Sequence, residues 1–407
     1  MNTLKTNRQE MRIGFVGCGY AGDIYINSLK KYPHLQLIAV TDRDQKRLAE
    51  FAAYYSVKTY PTVEALLADP SIEMVINLTN PSSHFEVSKA CLEAGKHVYS
   101  EKPMTMEFSE AQALVELAND KGLYFSSAPC GLLGETAQTL WRALNNRETG
   151  TVRVVYAELD DGPIQLREPH LWRSASGAPS PYRDEFEVGC TLEHAGYYLT
   201  WFTAFFGPAK TMTAYSACLW PNKQVVPEEP LYVTTPDFSV ACITFDSGVV
   251  VRLTCSLVAP HNHGVQIVGD KGVLTVDDCW NYSSPVYLDR YSKRRLQINR
   301  FPLLKTYAFV KSWFGSHPRE YPPVKRVSWK KRYARHRQDF ARGIADLARA
   351  ITEKRPARLP ADYCLHVNEL VLAIQNATHA PYQVKTTFKS LEPMDDVALK
   401  EFLSIDW

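Results

Sequence analysis

The chain has 407 residues, enough for two or three domains, and its 45% hydrophobic and 22% charged composition excludes a disordered or low-complexity protein. Forty-six Lys and Arg against 44 Asp and Glu leave a net charge of +2, which excludes a polyanion-coating chain and sets the expectation of no nucleic-acid partner. The greasiest run, Tyr197 to Phe206, is about half a bilayer span, no signal-peptide core opens the sequence, and the nine cysteines form no C-x-x-C pair, so a reduced cytoplasmic protein without a membrane partner is expected.

Arg12 to Val16 is a short apolar run ending in glycines, a buried-strand pattern, and helical spacing follows over Ile24 to Lys31. Leu35 to Thr41 predicts a second strand and Gln45 to Tyr55 a second helix. Strand patterns recur at Glu73 to Leu78, His97 to Ser100 and Leu123 to Ser126, with helices predicted over Phe85 to Ala94 and Phe108 to Lys121. Strands spaced by helices of this length make βαβ units, so residues 1–130 are expected to form an α/β, doubly wound parallel sheet of the Rossmann type.

Past residue 130 the period changes to two. Thr151 to Leu159, Asp237 to Phe245, Val249 to Leu257, Val265 to Val268 and Val273 to Val276 all alternate, with turn signals at Asp246-Ser247-Gly248 and at Gly269 to Gly272. Residues 131–407 are therefore expected to form an α+β domain around a large, mostly antiparallel sheet, closed by helices over Tyr333 to Thr352 and Tyr363 to Ala377. Within it, Asp289 to Arg337 carries fifteen Lys and Arg against two acids, a basic insertion. Two readings stand for that segment: a solvated excursion packed on an acidic neighbour, or a docking surface for a phosphorylated substrate or acidic partner.

Gly17-Cys18-Gly19-Tyr20-Ala21-Gly22 is a G-x-G-x-x-G that directly follows the first predicted strand and opens a predicted helix. Gly17 permits the tight turn, Gly19 lets backbone approach a pyrophosphate, and Gly22 allows close helix–strand packing. The helix N-terminus adds unpaired N–H groups for phosphate. Asp42, twenty residues after Gly22 at the end of the second strand, is placed to accept from ribose hydroxyls. Arg43 beside it is suited to stack on adenine or to grip a 2′-phosphate, so NAD is expected and NADP is the alternative. Thr79-Asn80-Pro81-Ser82-Ser83-His84 and Glu101-Lys102-Pro103 end later strands, the edge at which such sheets bind ligands. Thr79, Asn80, Pro81, His84 and Glu101 are thus expected cofactor contacts, and Lys102 is suited to polarise a substrate oxygen near a nicotinamide.

These segments, above all Glu101-Lys102-Pro103, resemble the Gfo/Idh/MocA oxidoreductases, and the likeness extends over almost the whole chain. The resemblance implies a nicotinamide-dependent oxidoreductase acting on a sugar, cyclitol or related polyol. It further implies a homo-oligomer, dimer or tetramer, built on the open sheet of the second domain. The family also carries an Asp followed four residues later by His on a helix. The stretch Gly189 to Tyr198 matches it with Glu193 at the Asp position and Tyr197, a departure, at the His position. Spacing of i, i+4 puts both on one helical face. Lys102 is expected to lower the Tyr197 pKa so that this tyrosine relays the proton, with Glu193 holding Lys102 or Tyr197; His194 is the rival base. Trp172-Arg173 looks like a segment the family places near nicotinamide and substrate, so Trp172 is expected to stack on a sugar and Arg173 to meet the cofactor. Arg183 and Asp184 are expected to bind substrate hydroxyls. The resemblance also admits glycoside-cleaving enzymes that oxidise the sugar transiently and non-enzymatic dinucleotide sensors. His261-Asn262-His263 puts two histidines on one face without a nearby third ligand, so no metal is expected.

Overall fold

The computed structural model describes residues 10–226, 229, 231–291, 318–325, 338–378, 380–395 and 397–399. The first unit runs Met11–Val16 (β1), Tyr20–Leu29 (α1), Leu35–Thr41 (β2), Gln45–Tyr55 (α2), Lys58–Thr59 (β3), Val63–Leu67 (α3) and Met74–Asn77 (β4). It continues through His84–Glu93 (α4), His97–Ser100 (β5), Phe108–Asp120 (α5) and Phe125–Ser127 (β6). The six strands form one sheet in the order β3-β2-β1-β4-β5-β6, every pair parallel. Strands β1 and β4 are buried almost throughout, because helices cover both faces. Chain direction across the sheet reverses between β1 and β4, which opens a crevice at their carboxyl ends.

The second unit begins with Glu135–Asn145 (α6), Val152–Asp160 (β7), Tyr182–Val188 (α7), Cys190–Phe206 (α8), Ala209–Ala217 (β8), Phe238–Phe245 (β9) and Val250–Ser256 (β10). It closes with Val265–Gly269 (β11), Gly272–Val276 (β12), Tyr287–Arg290 (β13), Arg319–Glu320 (β14), Ala341–Glu353 (α9), Ala361–Gln375 (α10) and Tyr382–Gln383 (β15). Nine strands make its sheet, ordered β14-β13-β12-β11-β7-β10-β9-β8-β15. All pairs are antiparallel except β7 with β10. Both turn signals sit in the expected hairpins, β9–β10 and β11–β12.

Helices α8 and α10 pack together over one face of this sheet, on Ile243, Val251, Leu253 and Cys255, all buried. Tyr156 and Tyr215 stand exposed on the strands β7 and β8. Helix α8 is fixed at its start by Gly189, whose φ of 95° lies in the glycine-favouring region and where a Cβ would come within 2.8 Å of Gln375 Nε2. Unpredicted elements include α6, despite the clear helical period of its apolar residues, α3, the short β3, β8 with its small residues, and α7, expected as loop. Of the basic insertion, Asp289 to Tyr291 and residues 318–325 are described: β13 and β14 pair at the sheet edge. The rest lies outside the described residues, as do positions 333–337 of the helix expected from Tyr333.

Candidate active site

The glycine loop joins β1 to α1 at the crevice. Gly17 has φ of 104°, and a Cβ there would lie 2.5 Å from the Leu78 carbonyl oxygen, so the fold itself demands glycine. Gly22 packs α1 onto the sheet, a Cβ there meeting Gly17 O at 3.2 Å. Gly19 is different. Its φ of −75° suits any residue, and a Cβ would meet no atom within 4 Å. Neither backbone nor packing requires glycine at this point, and no side chain caps the N–H groups of α1. These residues fit a dinucleotide whose pyrophosphate lies against the loop. Gly19→Ala is accordingly expected to keep the wild-type melting temperature while weakening dinucleotide binding about tenfold or more, by calorimetric titration. Gly17→Ala is expected to lose both.

The Asp42 carboxylate accepts from Cys18 N at 2.7 Å and Asp44 N at 2.8 Å, which ties the end of β2 to the loop. The Cys18 side chain is buried. Tyr20 and Ala21 open α1, and Arg43 is exposed beside Asp42. At the next strand end, Thr79 donates to Asn77 Oδ1 and Asn80 donates its amide to Asp184 Oδ2 at 2.7 Å. Pro81 opens a short 3-10 turn. Two of the expected site residues are engaged by the protein itself. His84 is fully buried, its ring nitrogens 2.6 Å from Pro103 O and 2.9 Å from Thr79 O, so it braces two loops rather than facing a ligand. Asp184 is engaged by Asn80 of the first unit.

Glu101 is anchored from below by the Tyr25 hydroxyl of α1 at 2.7 Å and accepts Lys102 N at 2.8 Å. That clamp sends the Lys102 side chain across to α8, where its ammonium pairs with Glu193. Burial works against the ammonium, but the Glu193 and Glu101 carboxylates oppose it and Lys102 lies above the ordinary lysine range. It is a permanent cation at neutral pH. Glu193 and Tyr197 line the same cavity as Lys102, with Met104, Leu192 and Val367 as its apolar wall.

Tyr197 departs from expectation. Burial, with Glu101 and Glu193 adding negative charge, raises its pKa above the ordinary phenol value against the opposing effect of Lys102. Its hydroxyl is therefore a donor. His194, the rival, points elsewhere: Nε2 lies 2.9 Å from Asp161 Oδ2, and Nδ1 is buried without a partner. Trp280 neighbours both, its ring 5.5 Å from Tyr197 and 5.7 Å from His194.

Glu185 on α7 is the residue that sequence reasoning missed. Burial first, then the Glu193 carboxylate, raise it to about 7, with Lys102 and His194 opposing. A raised folded value adds stability that is complete below the ordinary glutamate range and is lost as pH rises through 7. The melting temperature of wild type is expected to fall from pH 5 to pH 8 relative to Glu185→Gln; parallel pH profiles would contradict that. The signal was present as an acidic first turn and the Tyr182/Phe186 pair after Pro181.

The loop between the units bears on the coenzyme side. Asp23 in the first turn of α1 is buried and accepts from Ser174 Oγ at 2.6 Å, Ser176 N at 2.9 Å and Ser176 Oγ at 2.7 Å. Arg47 donates to Cys18 O at 2.7 Å and Ser176 O at 3.0 Å. Trp172, on the same loop, is partly exposed. Arg173 and Arg183 correct their expectations: Arg173 donates to His170 O and Trp172 O within its own loop, and Arg183 pairs outward with Glu229.

A family model described as "Oxidoreductase family, NAD-binding Rossmann fold" matches residues 11–128, and one described as "GFO/IDH/MocA C-terminal domain" matches residues 137–275. The chain belongs to the Gfo/Idh/MocA family. It is an NAD(P)-dependent oxidoreductase by that membership. A trans-1,2-dihydrobenzene-1,2-diol dehydrogenase of Bos taurus is 27% identical over 275 residues, covering 67% of this chain and 76% of its own. A UDP-N-acetylglucosamine 3-dehydrogenase of Acidithiobacillus ferrooxidans is 37% identical over 114 residues, 28% of this chain and 35% of its own. The solved WlbA dehydrogenase from Bordetella pertussis superposes with a TM-score of 0.68 at 15% identity, over 93% of this chain and 98% of that one, a likeness of fold.

Proposed function

We propose that this enzyme oxidises or reduces a hydroxyl-bearing carbon of a sugar, sugar derivative or cyclitol, using Lys102 to hold the reacting oxygen. The observation that carries the reading is the Lys102–Glu193 pair with Tyr197 in one cavity at the sheet's carboxyl edge. The relatives support the class: one is named for a vicinal diol, another for a sugar nucleotide, and the Bordetella enzyme was crystallised with NADH and UDP-GlcNAcA.

Gly17 to Gly22 would cradle the dinucleotide, Asp42 would take its ribose hydroxyls, and Trp172 would cover it; when bound, the nicotinamide exchanges a hydride with the substrate carbon. Lys102, kept cationic by Glu193, stabilises the negative charge that grows on the oxygen. Tyr197, kept protonated by burial, donates to that oxygen in reduction. Glu185, titrating near neutral pH, is suited to exchange the proton with solvent. Asp42 repels a 2′-phosphate, which favours NAD over NADP. We place the unit boundary at residue 130, with 131–407 building the substrate cavity and, through the exposed side of its sheet around Tyr156 and Tyr215, a dimer or tetramer. Nine free cysteines support a reducing, cytoplasmic setting, and no helix among the described residues is long and apolar enough to cross a membrane.

The test is incubation of purified protein with NAD or NADP and a panel of sugars, sugar nucleotides and cyclitols, following nicotinamide absorbance. A stoichiometric absorbance change with at least one polyol is expected. Release of an aglycone with no net change would replace this reading with glycoside cleavage.

A further inference from the structure

Beside Trp280, the fold assembles a second cluster. His261 and His263 share a face, as their spacing predicts, and Asp161 at the end of β7 supplies the third ligand that the sequence did not reveal. The donor atoms of Asp161, His261 and His263 all lie within 4.8 Å of one another. Asp161 Oδ1 is 3.0 Å from His263 Nε2 and 3.7 Å from His261 Nδ1. Two ligands each about 2.1 Å from an ion at a tetrahedral angle stand about 3.4 Å apart, and the two Asp161–histidine separations bracket that spacing.

We propose that Asp161, His261 and His263 bind one divalent transition-metal ion of the zinc class. Two imidazoles and one carboxylate are the donors such ions prefer over the all-oxygen sets of calcium and magnesium. The outer sphere is built too. His263 Nδ1 lies 3.4 Å from Asp278 Oδ1, the carboxylate–histidine arrangement that orients a ligating ring, and Asp161 Oδ2 is steadied by His194 Nε2 at 2.9 Å. His194, whose Nε2 meets Asp161, has its Nδ1 buried without a partner. His263 is fully buried whereas the His261 side chain is 54% exposed, so the sphere is anchored inside and reachable from solvent. Three protein ligands leave a position for water or a ligand oxygen. The cluster adjoins the Lys102 cavity through Trp280, whose ring lies 4.4 Å from His263 and 5.5 Å from Tyr197.

The test is calorimetric titration of the chelator-treated full chain with Zn2+, repeated with Co2+ under visible absorption. One equivalent is expected to bind, with no thiolate charge-transfer band in the Co2+ spectrum. His261→Ala, at an exposed position, is expected to keep the metal-free melting temperature and lose at least about 100-fold in Zn2+ affinity, and Asp278→Asn to lose about 10- to 100-fold. Binding to wild type only at millimolar Zn2+, a thiolate band, or equal affinity in His261→Ala would overturn the assignment.

Discussion

Lys102→Ala is expected to lower kcat/KM by about 10³-fold while dinucleotide affinity changes by less than about threefold. The reasoning is electrostatic. Lys102 is held cationic by Glu193 and Glu101 in a cavity with an apolar wall, where a positive charge acts on a developing oxyanion with little screening. Its backbone is positioned by Glu101, which is itself fixed through Tyr25, so truncating the side chain leaves the loop in place. Glu193→Gln keeps the ammonium but frees its direction, and its loss is expected to be smaller and to overlap that of Lys102→Ala rather than add to it. Steady-state kinetics beside calorimetric titration checks this; wild-type turnover in Lys102→Ala would remove the proposed role.

The largest expected effect on stability is at Arg342 in α9. Its guanidinium donates to Glu135 Oε2 at 3.0 Å and to Leu133 O at 3.0 Å, with Arg342 and Glu135 each 2% exposed. Asp339 next to it accepts from the Tyr32 hydroxyl at 2.9 Å and lies 3.7 Å from Lys31 Nζ, so this network joins α9 and α6 to the first unit. Arg342→Met leaves Glu135 buried and uncompensated, at an expected cost of about 3–5 kcal/mol in denaturant unfolding. Because desolvation offsets much of what a buried pair contributes, the double variant Arg342→Met with Glu135→Leu is expected to recover most of that loss. Equal stability of wild type and the single variant would contradict the account.

The parallel sheet was legible because buried strands and amphipathic helices write strong local periods, and the glycine loop was legible because its context is local. The Glu193–Tyr197 pairing on α8 also follows from spacing along one helix. What was hidden depends on which distant segments meet. Asp161 and His261 are a hundred residues apart, and the strand pairing that brings β7 beside the 261–263 segment is non-local. The direction of the Tyr197 shift depends on burial by α8, Trp280 and the cavity wall, which the nearby lysine alone does not reveal. Arg183 and Asp184 look like free polar groups in sequence, yet Glu229 and Asn80 claim them once the chain is folded.

The most direct measurement is a crystal structure of the full chain soaked with NAD and a polyol that supports turnover. The account predicts the nicotinamide ring and the substrate oxygen both beside the Lys102 ammonium, with Glu193 still paired to it and the pyrophosphate against Gly19. A coenzyme bound away from the glycine loop, or a Lys102 side chain turned into bulk solvent, would contradict it.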